Sequence, residues 1–194
     1  MCDTASCFFG YGSLVNLRTH NYQNPQTGRI SGWRRVWRSA RNGDISFLSI
    51  EPYDGEISGM FASTAGIGWD ALDLRERGYA RQSLPKGCII GTQPDSPAMI
   101  YVGAPNAIDP SVQKPILLSY LDVVVQGFHV HFGRQGVADF FNSTAQWARP
   151  VLDDRAAPIY PRAQELTLEQ QQLVDENLER LPQAHLVRDL SVSF

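Results

Sequence analysis

Cysteine is scarce in these 194 residues: Cys2, Cys7 and Cys88 are an odd number, with no C-x-x-C pair. That excludes a disulfide framework and leaves no zinc-knuckle spacing, so reduced thiols and a cytosolic setting are expected. Long apolar runs are absent as well. No segment approaches the roughly 18 apolar residues of a membrane span, and MCDTASCFFGYG at the N-terminus has no basic stretch before its short apolar run. The chain is therefore expected to be cytoplasmic, with no membrane partner. Charge of one sign is not in excess either: 17 Lys and Arg against 20 Asp and Glu give a net charge of −3. Such a chain has no general attraction to nucleic acid, so a small-molecule partner fits best.

The glycine motifs of nucleotide and acyl-transfer enzymes are missing too. Neither G-x-x-x-x-G-K-[ST], nor a dinucleotide fingerprint, nor the G-x-S-x-G elbow occurs. No internal repeat, low-complexity run or linker divides residues 1–194, and the length suits one domain.

What is present is a change of character along the chain. The first half is rich in β-branched and aromatic residues: an opening strand at FF, then GRISGWRRVWRSA (28–40), DISFLSIEP (44–52) and EISGMFAST (56–64). Asp54-Gly55 predicts a hairpin turn between the last two. A short helix is expected over 68–78, because Trp69, Leu72 and Glu76 share one face. Strands resume at GYARQSL, CIIGT and PAMIYVG. The second half predicts helices over 115–133, with Pro115 at the first position, over 136–147, and over 167–181, with Thr167 and Gln170 forming a capping box. ARPVLDDRAAPIYPRA (148–163), with three prolines, reads as an extended surface loop. Strand-rich and helix-rich halves packed together make an α+β fold.

Two places carry candidate chemistry. Gly10-Tyr11-Gly12-Ser13 follows the first strand. Glycines there permit φ > 0 or close approach, so the turn is either a strand end packed on a neighbour or a nest of amides for an anion. Glu76 is the other. On the apolar face of its helix, desolvation would raise its pKa into the range of a general acid and base; flanked by Arg75 and Arg77, it reads first as an exposed residue on a solvated helix end.

FGYGSLV, the GWRRVW strand and LDLRERGY, in this order, resemble the γ-glutamyl cyclotransferase-like superfamily over residues 8–130. The resemblance implies a compact mixed β-barrel with flanking helices. It implies that Tyr11, Gly12, Ser13 and Leu14 hold a glutamyl head, that Glu76 is the acid and base, and that Tyr79 is a pocket hydroxyl. The implied reaction is cyclisation of a γ-glutamyl compound to 5-oxoproline with release of an amine or peptide. It needs no metal or other cofactor, and the protein would be a monomer or homodimer. The R-G-T and P-G-R-V pieces of the glutathione-degrading branch are not found in RNGDISFLSIEPYDGE (41–56), which counts against glutathione and keeps γ-glutamyl amino acids and γ-glutamylamines open as substrates. A non-catalytic module of the same fold that binds a small acidic ligand is the competing class.

Three other features have structural readings. Arg34, Arg35 and Arg38 alternate with Trp33 and Trp37, so a strand here has no purely basic face. His129 and His131 diverge on a helix, without a third ligand. Asp153, Asp154, Arg155, Tyr160 and Arg162 either pin the 148–163 loop by Asp–Arg pairs or border a site, where Arg155 or Arg162 would meet a departing carboxylate.

Overall fold

Two long strands that pair with each other organise the molecule. The computed structural model describes residues 6–91 and 93–188, so Cys2 lies outside the described residues. Strand β1 (Cys7–Gly10) is followed by β2 (Gln23–Ser39) and β3 (Ser46–Ser63), which form one antiparallel ladder from Ser39↔Ser46 to Gln23↔Ser63. The reversal lies at Asn42-Gly43, where Gly43 has φ 111° and Ala40 N–H donates to Ile45 O at 3.0 Å. Asp54-Gly55 does not reverse the chain, correcting the sequence reading. Ser31 pairs with Glu56 and Trp33 with Pro52, so residues 53–55 bulge out opposite Gly32, whose φ is 82°. Both flanks of the Asp-Gly excursion match the same partner strand, and the ladder absorbs the extra residues as a bulge.

β1 inserts beside β3, antiparallel, and beside β6 (Ala98–Gly103), parallel. β4 (Tyr79–Ser83) extends the sheet past β6, and β5 (Ile89–Ile90) flanks β2, giving the order β4-β6-β1-β3-β2-β5. Among the described residues no ladder joins β4 to β5, so the sheet is curled and open, not the closed compact barrel expected. The edge of β2 explains this: β5 covers Arg29–Ile30 and a second two-residue strand, β8 (Thr144–Ala145), covers Arg35–Val36. Neither is long enough to carry the sheet round.

Helices α1 (Trp69–Arg75), α2 (Leu118–Asn142) and α3 (Leu168–Glu179) complete a mixed α+β fold. Leu121, Val124, Val125 and Phe128 of α2 share one core with Ile30, Trp37, Leu48 and Ile50 of the hairpin. α2 starts three residues after Pro115, because Ile116 and Leu117 form β7 and pair with β9 (Pro150–Leu152), which also pairs with β10 (His185–Val187). The 148–163 segment is thus not wholly a surface loop; near its start, Pro150–Leu152 form a buried strand. Gly133 (φ 65°, ψ −168°) kinks α2 and separates the two helices expected at 115–133 and 136–147. The second stops at Asn142, since Thr144 and Ala145 join the sheet. Thr167 and Gln170 make the capping box that opens α3. No helix among the described residues is long and apolar enough to cross a membrane.

Candidate functional site

The chain leaves β1 through Tyr11-Gly12 into a single 3₁₀ turn over Ser13–Val15. Gly12 has φ −130° and ψ −126°. Close approach asks for glycine here: a Cβ on Gly12 would lie 2.8 Å from the Tyr120 hydroxyl and 3.2 Å from Leu48 Cδ2. Polar groups hold the turn from behind. Arg35 Nε donates to Tyr11 O at 2.8 Å, Thr19 Oγ1 to Ser13 O at 3.1 Å, and His20 Nε2 lies 2.9 Å from Leu14 O. Among the described residues the N–H groups of Gly12, Ser13 and Leu14 meet no backbone acceptor, so the turn has amides left for a ligand.

Arg35 is the unusual member of this support. Its guanidinium is buried, donates also to Ser143 Oγ at 2.8 Å and to Ser58 O, and stacks over Phe128 and Phe140. No carboxylate among the described residues pairs with it, and burial pushes its pKa down to about 9. It remains a cation at neutral pH, neutralised by carbonyl dipoles and aromatic faces.

Leu14 couples the turn to α1. Its side chain joins Phe8, Ala62, Leu72 and Tyr101 in a second apolar cluster, and Leu72 sits one helical turn before Glu76. Glu76 caps α1, its N–H donating to Leu72 O at 2.9 Å, and Gly78 (φ 97°) then turns the chain into β4. The Glu76 side chain is only 14% exposed, and Arg75 Nε lies 3.2 Å from its carboxylate. Arg75 in turn donates to Thr19 O at 3.0 Å and to Ser13 Oγ at 3.3 Å. Burial raises the Glu76 pKa; Arg75 and Arg162 pull it back without cancelling the rise.

One cavity of about 480 Å³ is lined by Tyr11, Gly12, Ser13, Leu14, Glu76 and Tyr79, so the residues singled out from the sequence share one space. The hydroxyls of Tyr11 and Tyr79 do not point freely into it: they donate to Tyr101 O at 2.6 Å and Leu48 O at 2.7 Å. The cavity is also lined by Arg75, Arg77, Tyr101, Tyr120, Tyr160 and Arg162, of which sequence reasoning placed only Tyr160 and Arg162, conditionally, at a site. Tyr120 was hidden within the apolar run of α2, where a tyrosine reads as core. The 148–163 segment does both things considered for it. Arg155 is clamped by Asp122 and Asp175, each at 2.8 Å, away from the cavity, whereas Tyr160, Pro161 and Arg162 line it.

No protein-family model and no curated protein matches this chain. Solved structures do. The fold is similar to that of an uncharacterized protein from Homo sapiens, at 12% identity and a TM-score of 0.52, over 89% of this chain and 99% of that one. Weaker likenesses are to YkqA from Bacillus subtilis (12% identity, TM-score 0.49, 69% of this chain and 51% of that one) and to a γ-glutamyl cyclotransferase specific to glutathione from yeast (14% identity, TM-score 0.43, 93% and 98%). The chain thus spans about half the length of YkqA. At these identities the similarity to the human protein establishes a shared fold.

Proposed function

We propose that this protein is a γ-glutamyl cyclotransferase that releases 5-oxoproline and a free amine or peptide from a γ-glutamyl compound. The observation that carries the reading is Glu76: a buried carboxylate of raised pKa on the wall of the cavity that the Gly12–Leu14 turn also lines. The amides of Gly12 and Leu14 suit the α-carboxylate of a glutamyl head. Glu76, ionised, takes a proton from the substrate's α-ammonium, and the amine attacks its own γ-carbonyl to close a five-membered ring. The Tyr120 hydroxyl, on the same cavity wall and with a pKa that burial raises, keeps its proton and can donate a hydrogen bond to the oxyanion. Protonated Glu76 then passes its proton to the departing nitrogen as the C–N bond breaks, and the carboxylate so restored takes the second proton from the ring nitrogen, leaving a neutral lactam. Attack is intramolecular, so holding the chain folded supplies much of the acceleration.

A panel of γ-glutamyl amino acids, peptides and amines, assayed for 5-oxoproline, tests the reading. Turnover of at least one compound is expected, with Glu76→Gln lowering kcat/KM by about 10² to 10⁴-fold in a folded protein. No turnover across the panel, or full activity in Glu76→Gln, defeats it; ligand binding without turnover indicates the non-catalytic module instead.

A further inference from the structure

We propose that Arg162 forms a subsite for a second carboxylate, so that the favoured substrates release an amino acid or peptide with a free carboxylate and not a simple amine. The inference rests on the γ-glutamyl reading of the site.

The cavity wall carries the cations Arg75, Arg77 and Arg162 and a single acid, Glu76. Arg75 and Glu76 neutralise each other as an ion pair. Among the described residues neither Arg77 nor Arg162 has a carboxylate within ion-pair distance, so two positive charges stay uncompensated at the cavity. A γ-glutamyl head does not supply the missing charge, because its α-ammonium and α-carboxylate cancel. A carboxylate on the departing portion does, and a guanidinium is the group that recognises it with directional hydrogen bonds.

Arg162 is also held in place as a recognition residue must be. It follows Pro158 and Pro161, and the intervening backbone is tied down: Ile159 N–H donates to Asp154 Oδ2 at 2.9 Å and Tyr160 N–H to Ser119 Oγ at 3.3 Å. The Tyr160 ring packs edge-on against Tyr120, with centroids 5.0 Å apart. Asp154 itself is fixed by Ser119 N–H at 2.7 Å. The segment therefore presents Arg162 to the cavity on a rigid support, while Arg155, seven residues earlier, is saturated by Asp122 and Asp175.

γ-Glutamyl-alanine and γ-glutamyl-alaninamide differ only in the carboxylate at issue. Wild type is expected to favour the acid by at least about tenfold in kcat/KM, the scale of one charge-assisted hydrogen bond. Arg162→Gln is expected to bring the two within threefold, and Arg162→Lys to keep part of the preference. Equal use of both ligands by wild type, or an undiminished preference in Arg162→Gln, overturns the subsite. Calorimetric binding of the same ligands to wild type and Arg162→Gln gives a second readout without turnover. A carboxylate preference that disappears in Arg162→Gln, without any 5-oxoproline across the whole panel, upholds the subsite and defeats the cyclotransferase reading. Turnover without preference does the reverse, and binding of neither ligand overturns the subsite.

Discussion

Arg75 is bonded at once to both halves of the candidate site: its Nε lies 3.2 Å from the Glu76 carboxylate and its guanidinium donates to Ser13 Oγ at 3.3 Å. A residue that reads in sequence as part of a solvated flank is the link between the turn and the carboxylate, and it opposes the effect of burial on the Glu76 pKa.

Arg75→Met removes the nearest cation and leaves the burial. The Glu76 pKa rises further, so the acid limb of the kcat/KM profile moves to higher pH and the rate at pH 7 falls. The variant also loses the bonds to Ser13 and Thr19, at about 1–3 kcal/mol for polar groups left without partners. A pH–rate profile beside a denaturant titration separates the two effects; an unmoved acid limb counts against Glu76 as the base.

Glu76→Gln is expected to be more stable than wild type at neutral pH. A carboxyl whose pKa is raised on folding binds more protons in the folded than in the unfolded chain between the two pKa values, so stability falls as pH rises through that window. Glutamine lacks this penalty. The stability gain should be largest above the folded pKa and vanish below about pH 4, where an unfolded glutamic acid is also neutral. Melting temperatures across pH check it, each kcal/mol showing as about 2–4 °C.

Gly12→Ala places a methyl against the Tyr120 hydroxyl. Activity and stability should both fall, and adding Tyr120→Phe, which deletes the colliding oxygen, should recover part of the stability. A double-mutant cycle on unfolding free energy should give a coupling of about 0.5–3 kcal/mol; strict additivity would place the two residues out of contact.

Arg35→Met leaves the carbonyls of Tyr11 and Ser58 without their donor, for about 1–3 kcal/mol each. Lysine at this position does not rescue, because a single ammonium does not reproduce three divergent bonds and two aromatic contacts. Chemical denaturation of the Met and Lys variants tests this.

The amino-acid sequence by itself determined the long strands and helices and singled out the Gly10–Ser13 turn and Glu76 as candidates. Enrichment in β-branched and aromatic residues places Ile30, Trp37, Leu48 and Ile57 in strands, and the Thr167–Gln170 capping box is a local signal that survives folding unchanged. The α+β class follows from these signals. Tertiary pairing decided the rest. Whether Asp54-Gly55 reverses the chain depends on what its flanks meet, and both meet β2. Whether the sheet closes depends on edge strands only two residues long. Whether Glu76 is solvated or buried depends on the Leu14–Leu72 contact cluster and on a segment some eighty residues later that brings Tyr160 and Arg162 to the same cavity. Helical spacing places Glu76 on a face, but burial and charge, which set its proton affinity, come from residues far away in sequence.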